Sequence, residues 1–316
     1  MRVLGVIVNY RTPELTLRAA RALAADLAPL GACRVDVVEN DSRDGSAETL
    51  AAGLAAEPTA VPVRLVVSPV NGGFGAGNNV ALRAALAAPD APEYLYLLNP
   101  DAEPDPGAAA ALVAHMDAHP NVAVAGSAVH GGDGELRSTA FRYPNALSEL
   151  ERGVRLGFVT RLLAAHTSRT PLPERSGPVD WVTGASCMLR RSALETIGLF
   201  DETFFLYFEE TDLCRRATRA GFEVHYVRES RVAHIGGVAT GVRDTSRPLP
   251  RFWLDSRRHY LRKHHGRLYL ALADLFWIGG FATWRVRRAL QRRPDTDPPH
   301  ALRDMLRHAL GMRPAH

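Results

Sequence analysis

Short apolar runs alternate with alanine- and leucine-rich stretches of helical period through the first 130 residues. The runs have the length of buried strands, and the stretches between them carry apolar residues every three or four positions. The pattern predicts strands at Val3–Val8, Val35–Glu39, Val63–Val67, Tyr94–Leu98 and Val122–Ala128, and helices at Glu14–Leu27, 76–87 and Pro106–His119. Strands that alternate with helices usually form a parallel sheet covered on both faces. We therefore expect an α/β fold with a mainly parallel central sheet flanked by helices.

Polar side chains follow four of these strands directly. They are Asn9 after the first strand, Glu39, Asn40 and Asp41 at the end of the second, Asn71 after the third, and Asn99 and Asp101 after the fourth. Ligands of such sheets bind beyond the carboxyl ends of the strands. The sequence therefore predicts one polar, carboxylate-bearing crevice at that edge of the sheet.

The regular pattern weakens after residue 129 and returns at 179. Residues 142–175 mix arginine, proline and leucine without a firm period, which predicts loops and a short helix. We expect one domain over 1–265, built from the halves 1–128 and 179–240, followed by a basic helical extension over 266–316.

The segment Leu268–Trp284 is largely apolar and has arginines on both sides. It is slightly short for a membrane span, and Asp274 would be costly at a bilayer centre. Two interpretations remain open: a helix lying on an anionic membrane surface through residues 268–288, and a helix packed in the protein core.

Composition is that of a globular protein, with 316 residues, 46% hydrophobic and 23% charged. The three cysteines, Cys33, Cys187 and Cys214, form no C-x-x-C pair, so neither a zinc site nor a disulfide framework is indicated. The first apolar run ends at Val8, which is too short for a secretion signal. These features favour a cytoplasmic protein.

Several short motifs occur in a characteristic order. They are Val8-Asn9-Tyr10, Val38–Ser46, Asn71–Asn79, Leu98-Asn99-Pro100-Asp101, Trp181–Ala185, Phe200–Cys214 and His234. Together they resemble family 2 glycosyltransferases of the A-type fold, and within that family the bacterial rhamnosyltransferases and galactofuranosyltransferases. The resemblance covers about residues 1–265. It implies a Rossmann-like nucleotide-sugar-binding half at 1–128 and an acceptor and catalytic half at 179–240.

The resemblance also implies an activity. Such enzymes transfer a sugar, with inversion, from a nucleoside-diphosphate donor to an acceptor hydroxyl. The expected donor is dTDP-rhamnose, with a UDP-sugar second, and the acceptor is a glycan, a lipid-linked saccharide or a natural product. The enzyme would work in the cytoplasm or at the inner face of the membrane.

A divalent cation, Mg²⁺ or Mn²⁺, would neutralise the donor diphosphate. The resemblance makes Asp101 and His234 its ligands, with Asn99 standing where most members have a first acid. On its own, Asn-Pro-Asp is also a common turn, and a single histidine after a strand is also a common structural donor.

Donor contacts are carried over position by position. The resemblance assigns them to Asn9, Glu39, Asn40, Asp44, Asn71, Gly75, Asn79 and Asn99. Glu39 is a departure, since most members have Asp there. The glycine-rich turn does not fit the dinucleotide template G-x-G-x-x-G, because Asn78 occupies the third glycine position.

The acids Glu209, Glu210 and Asp212 follow an aromatic run. Inverting transfer needs a base for the acceptor hydroxyl, and the resemblance assigns this role to Glu210, supported by Glu209 and Asp212. An acidic first turn of a helix is the plainer alternative. Trp181 and Gly184 resemble the acceptor-side segment, although a core tryptophan is also a reasonable interpretation.

A nucleotidyltransferase acting on sugar phosphates is the main competing function. It would need a basic glycine-rich loop near the amino terminus, which residues 8–20 do not contain. The carboxylate-bearing crevice argues against nucleic acid as a partner, because phosphate backbones bind Arg and Lys.

Overall fold

A computed structural model describes residues 1–234 and 245–312. The strands are β1 (Val3–Asn9), β2 (Cys33–Glu39), β3 (Val63–Val67), β4 (Tyr94–Leu98), β5 (Ala102–Pro104), β6 (Val122–His130), β7 (Ala140–Phe141), β8 (Gly177–Pro178), β9 (Trp181–Val182), β10 (Ser186–Arg190) and β11 (Glu223–His234). The helices are α1 (Pro13–Leu27), α2 (Ser46–Ala56), α3 (Phe74–Leu86), α4 (Ala108–Ala118), α5 (Ala146–Val154), α6 (Gly157–Leu162), α7 (Arg191–Ile197), α8 (Glu209–Arg219), α9 (Arg251–His265), α10 (Arg267–Leu290) and α11 (Ala301–Ala309). The predicted strands and helices of the first 130 residues are all present, with ends shifted by a few residues.

The main sheet has the order β3-β2-β1-β4-β10-β6-β11-β5, and β8 pairs with β11. The pairs β3-β2, β2-β1, β1-β4 and β6-β11 are parallel, whereas β10 runs antiparallel to both of its neighbours. The predicted α/β fold is therefore confirmed, with a sheet that is more mixed than expected. The reason is local: Ala185 bonds to Asn99 at the carboxyl end of β4, so the chain enters the sheet there and can only run backwards along β4.

Strands β1 and β4 form the centre of the core, and every residue in them is buried. Gly5 lets α1 approach β1 closely, since a Cβ there would lie 2.7 Å from Cδ2 of Leu23. Complete burial of the strands explains their continuous apolar runs. It also places the polar residues that follow them at one edge.

The chain divides into two compact units. The first comprises 1–141, 171–205 and 209–239, and contains the main sheet. The second comprises 142–170, 206–208 and 240–316, and contains α5, α6, α9, α10 and α11. The predicted boundary at 265/266 falls between α9 and α10, and it stays a prediction.

In the second unit, α10 packs against α5 with very close backbones. A Cβ on Gly153 would lie 2.5 Å from the carbonyl oxygen of Trp277, and one on Gly280 would lie 2.9 Å from the backbone nitrogen of Val154. Buried Arg257 bridges Glu149 at 2.6 Å and Asp274 at 2.5 Å. One face of α10 thus lies in a core. No helix in the described parts of the chain is long and apolar enough to cross a membrane.

Candidate active site

Asn9, at the end of β1, is buried and ties α1 to the loop after β2. Its Oδ1 accepts hydrogen bonds from the Thr16 hydroxyl at 2.9 Å and the Thr12 backbone at 3.3 Å. Its Nδ2 donates to Ser42 Oγ at 3.4 Å. The side chain therefore fixes the floor of the crevice, and its predicted contact with the donor stays a prediction.

Glu39, at the end of β2, shapes the loop that follows it. Its carboxylate accepts the backbone N–H groups of Ser42 at 2.8 Å and Asp41 at 3.1 Å. Asp44, farther along, accepts from both the N–H and the hydroxyl of Ser46 at the start of α2. The Ser46 hydroxyl is the main reason that the pKa of Asp44 lies below its usual value. The lowered pKa favours the ionised form of Asp44, and Glu39 fixes the loop after β2 through its two backbone hydrogen bonds.

Asn40 and Asn71 meet at the tips of β2 and β3. Asn40 Nδ2 donates to Asn71 Oδ1 at 3.0 Å and to the carbonyl of Gly73 at 3.2 Å. Asn71 Oδ1 also accepts the N–H of Gly73 at 3.0 Å. Asn40 Oδ1 is buried and has no hydrogen-bond partner within the described residues. An unsatisfied acceptor is costly, so a ligand that donates a hydrogen bond to Asn40 Oδ1 would be favoured.

Asp101, His234 and Asn99 come together at the tips of β4 and β11. Asp101 Oδ1 lies 3.0 Å from His234 Nε2, and Asn99 Nδ2 lies 3.4 Å from the same nitrogen. Two adjacent ligands of an octahedral cation with bonds of about 2.1 Å are themselves about 3 Å apart. The pair therefore has the donor atoms and the spacing for Mg²⁺ or Mn²⁺.

No group of three or more His, Cys, Asp or Glu residues suited to a metal occurs in the described parts of the chain. Two protein ligands are nevertheless enough for Mg²⁺, which usually keeps water and substrate phosphate oxygens as its other ligands. The residues present fit a cation that binds together with a diphosphate. Ile235, Gly236 and Gly237, which the sequence places next to His234, lie outside the described residues.

Glu210 lies in the first turn of α8. Its Oε2 is buried and has no hydrogen-bond partner among the described residues. Burial raises the pKa of the Glu210 carboxyl above its usual value, and hydrogen bonds from the backbone N–H groups of Glu210 itself, Gly184 and Thr211 oppose this only in part. A carboxylate with a raised pKa is the form a general base needs near neutral pH.

Gly184 and Ala185 connect Glu210 to Asn99 at the tip of β4. The N–H of Gly184 donates to Glu210, and the carbonyl of the next residue, Ala185, accepts the N–H of Asn99 at 2.9 Å. Residues 184 and 185 thus link the tip of β4 to Glu210. We call this pair the linking peptide.

The other two acids of the cluster, Glu209 and Asp212, are buried. Asp212 accepts Arg216 Nε at 2.8 Å, and Arg216 also donates to the carbonyls of Ile197 at 2.6 Å and Leu199 at 2.7 Å. Asp212 therefore anchors the loop before α8. Glu209 packs beside Gly75, where a Cβ would lie 3.6 Å from Cβ of Glu209.

Asn79 and Gly75 lie on α3, against the loop 200–205. Asn79 Nδ2 donates to the carbonyl of Phe200 at 2.9 Å and to Glu202 at 2.8 Å, and its Oδ1 accepts the Phe200 N–H at 3.1 Å. All these bonds hold the segment that leads into α8. The predicted contact of Asn79 with the donor stays a prediction.

Gly73 lies where α3 and the same loop come closest. The N–H of Phe74 donates to the carbonyl of Phe205 at 3.0 Å. A Cβ on Gly73, whose φ is +90°, would lie 1.7 Å from that carbonyl oxygen. The glycine-rich turn thus supports the segment that leads into α8. Sequence reasoning missed the supporting role, because Phe205 is remote in sequence.

Trp181 and Gly184 lie beside this arrangement. Trp181, on β9, stacks on Phe141 of β7 with ring centroids 4.4 Å apart. A Cβ on Gly184 would lie 3.1 Å from the ring of Phe74. Trp181 stays partly exposed, so one part of the indole is used in packing and another part is open to solvent.

Comparison with known proteins agrees with this geometry. The sequence matches the family described as "Glycosyltransferase like family 2" over residues 2–259. It is 29% identical over 268 residues to an N-acetylglucosaminyl-diphospho-decaprenol L-rhamnosyltransferase of Mycobacterium tuberculosis, covering 81% of this chain and 80% of that protein. It is 34% identical over 71 residues to rhamnosyltransferase WbbL of Escherichia coli, covering 21% and 27%.

Solved structures share the fold. A mannosyltransferase from Pyrobaculum calidifontis in complex with GDP-Man and Mn²⁺ aligns with a TM-score of 0.58 at 15% identity, covering 98% of this chain and 79% of that one. TarS residues 1–349 of S. aureus aligns with a TM-score of 0.54 at 15% identity, with the same coverage. At this identity the likeness bears on the fold, which is the glycosyltransferase A-type.

The profile match covers most of the chain, the longest curated match is a rhamnosyltransferase, and the sheet is that of the A-type enzymes. The chain therefore belongs to the family 2 glycosyltransferases, is similar to rhamnosyltransferases, and is an enzyme of the transferase class.

Proposed function

We propose that this enzyme transfers a sugar, with inversion, from a nucleoside-diphosphate sugar to an acceptor hydroxyl, and that Glu210 is the base. The observation that carries the proposal is the linking peptide, which joins a carboxylate of raised pKa to Asn99, whose side chain contacts the Asp101–His234 pair. Donor diphosphate and acceptor hydroxyl would thus meet at one place.

The proposed step is a single displacement. Glu210 takes the proton of the acceptor hydroxyl while that oxygen bonds to the anomeric carbon. The bond from this carbon to the diphosphate oxygen breaks, and the nucleoside diphosphate leaves with the electron pair. A bound Mg²⁺ or Mn²⁺, held by Asp101 and His234, would neutralise the charge that builds up on the diphosphate. Asn40 and Asn71 would orient the nucleoside end, and Trp181 would offer its indole face to the acceptor sugar.

The donor we favour is dTDP-rhamnose, with a UDP-sugar second, and the acceptor is a lipid-linked saccharide or another glycan. The relative from Mycobacterium tuberculosis supports this choice, because its name describes an L-rhamnosyltransferase acting on a decaprenol-linked sugar. A lipid-linked acceptor would lie at a membrane, so we propose action in the cytoplasm at the inner membrane face, with peripheral contact through 268–288.

A donor-turnover assay tests the function. The purified chain is incubated with dTDP-rhamnose, UDP-galactose or UDP-N-acetylglucosamine, with Mg²⁺, Mn²⁺ or EDTA, and the released nucleotide is quantified. We expect nucleoside diphosphate from one donor only, depending on the cation. A parallel incubation contains sugar phosphate and nucleoside triphosphate. Release of pyrophosphate in that incubation would instead identify a nucleotidyltransferase. With an acceptor present, NMR of the product decides whether the anomeric configuration is inverted.

A further inference from the structure

Helix α10 exposes a continuous apolar face. Leu268, Leu275 and Leu290 are 89%, 66% and 80% exposed, and Leu272 and Val286 are 41% and 61% exposed. With Gly279 these residues are spaced by three, four or seven positions, so they share one side of the helix. We call this set the outer stripe. From residue 268 to residue 290 it is about 33 Å long at 1.5 Å per residue.

The opposite face of α10 is already occupied. Leu270, Trp277 and Phe281 are buried there, and Arg155 lies over the ring of Phe281 at 5.3 Å. Asp274, the helix's only acid, pairs with buried Arg257 at 2.5 Å. These contacts fix the rotation of the helix about its axis. The outer stripe is therefore a second apolar face of α10, separate from the face that is buried in the core.

Apart from Asp274, the charged residues of α10 lie near its two ends. Between Arg267 and Arg285 its sole charged residue is Asp274, which faces Arg257. Exposed Arg267 stands at one end of the outer stripe, and exposed Arg292 and Arg293 follow the other. The sequence of the second unit holds 21 Arg and Lys against 8 Asp and Glu. Its net charge of +13 is complementary to an anionic surface.

We propose that the outer stripe docks onto an anionic lipid bilayer, with α10 lying in the plane of the membrane surface. The leucines would enter the boundary between headgroups and acyl chains, and the arginines at both ends would meet lipid phosphates. The helix does not meet the requirements for a span, and the buried pair Asp274–Arg257 holds its other face on the protein. The inference deepens the proposed function, because it brings the enzyme to a lipid-linked acceptor, but vesicle binding requires no sugar transfer.

The test uses the full chain and the triple variant Leu268→Gln, Leu275→Gln and Leu290→Gln. Binding is measured by flotation with phosphatidylcholine vesicles, with and without phosphatidylglycerol. We expect wild type to bind the phosphatidylglycerol vesicles and the variant to lose at least about tenfold in partitioning, since each inserted leucine is worth at least that much. Val67→Gln is the matched control: Val67 is 59% exposed in the first unit, and its replacement should leave flotation unchanged.

A second variant tests the charge. Arg292→Gln with Arg293→Gln should lower binding to anionic vesicles by about fivefold per charge and leave the weak binding to neutral vesicles unchanged. If the leucine variant fails to fold, this arginine variant still tests whether the chain docks onto an anionic bilayer.

Two results would overturn the proposal. One is equal flotation of wild type and both variants. The other is a wild type that ignores vesicles but forms a dimer, with a monomeric leucine variant by analytical ultracentrifugation, which would make the outer stripe an interface between copies. Donor turnover without vesicles, measured on the same samples, separates failure of docking from failure of the proposed transfer.

Discussion

Glu210 combines backbone hydrogen bonds to its carboxylate with a buried Oε2 that has no hydrogen-bond partner in residues 1–234 and 245–312. Its role can be tested with Glu210→Gln, which keeps the size of the side chain but cannot accept a proton. We expect kcat for transfer to fall by about 10²–10⁴ with little change in donor affinity, because the base acts on the acceptor. Steady-state kinetics with donor titration by calorimetry measure both quantities.

Glu209→Gln is the comparison for that experiment, since it makes the same chemical change one residue earlier. Its effect should be smaller, because Glu209 packs beside Gly75. If Glu210→Gln keeps near-normal transfer while Glu209→Gln or Asp212→Asn has lost it, the base is one of those neighbouring acids and not Glu210.

The raised pKa of Glu210 also predicts how activity depends on pH. The base must be ionised, so kcat should fall as pH drops through the raised pKa, at a higher pH than for an ordinary glutamate. The free energy of unfolding should instead rise as the pH drops. A carboxyl whose pKa is raised by folding does not destabilise the folded state below its usual pKa, where it is protonated in both states. Above the raised pKa it is ionised in both states, and the free energy of unfolding is lowered by the full cost of burying the charge. Glu210→Gln should therefore unfold at the same or a higher temperature at neutral pH, and a lower Tm would contradict the burial argument.

Asp101 is the second residue whose role can be isolated. Asp101→Ala removes one of the two proposed cation ligands, so donor affinity should fall by at least about tenfold and should no longer respond to Mn²⁺. Isothermal titration with and without the cation measures this. Asp90→Ala, at an exposed acid of the same unit, should bind donor normally. Unchanged donor affinity and an unchanged cation response in Asp101→Ala would make Asp101 a turn residue.

At the scale of elements, the first turn of α3 supports α8 through backbone contacts. Gly73→Ala places a methyl group 1.7 Å from the carbonyl oxygen of Phe205 at a φ of +90°. Gly198→Ala is the matched control: Gly198 has similar backbone angles, φ +77° and ψ 175° against φ +90° and ψ −171° at Gly73, but a Cβ there meets nothing within 4 Å. The control should lose about 1–3 kcal/mol of unfolding free energy, because only glycine adopts these backbone angles without strain. Gly73→Ala should lose a further 1–3 kcal/mol or so from the clash, measured by urea titration.

The same elements show what the sequence could predict. Strands such as Tyr94–Leu98 were found because complete burial leaves an uninterrupted apolar run, and the strand tips followed from parallel topology. The direction of β10 (Ser186–Arg190) could not be predicted, since a run of five residues looks alike whether the strand is parallel or antiparallel to its neighbours. The meeting of Asp101 with His234 came from the family resemblance, because 133 residues separate them.

Other features of the site depend on contacts that no local pattern encodes. Asn79 was assigned to the donor from its motif, yet its amide holds residues 200–202, which are over 120 positions away. Arg216 was overlooked, although its spacing of four from Asp212 was a usable sign of an ion pair. For α10, periodicity detects an apolar face but not that the helix has two, one buried and one exposed, and contact of the exposed face with a membrane stays a prediction.

At the scale of the whole molecule, all three cysteines are free and buried. Burial raises the pKa of the Cys33 and Cys187 thiols, and that of Cys214 to about 12. Thiolate is the reactive form, so native protein should react slowly with Ellman's reagent at pH 8, whereas denatured protein should release three equivalents. Fast reaction of even one thiol in the native state would mean that part of the core opens readily.

The charge of the chain is unevenly divided in the same global view. The second unit carries +13, and since the whole chain carries +4, the remainder carries −9. An acidic sheet unit suits a site that recruits a cation before it meets a diphosphate, whereas a basic helical unit suits an anionic surface. The overall pI of about 9.2 hides this separation.

The linking peptide bears on how the enzyme could change its substrates during evolution. Since residues 184 and 185 bond to the base on one side and to Asn99 on the other, a substitution that moves the tip of β4 also moves Glu210. The loops after β1 and β2 are held by bonds of their own, such as those from Glu39 to residues 41 and 42. New donor preferences should therefore arise by mutation in those loops, while residues 99 and 184–185 tolerate little variation among enzymes that share this base.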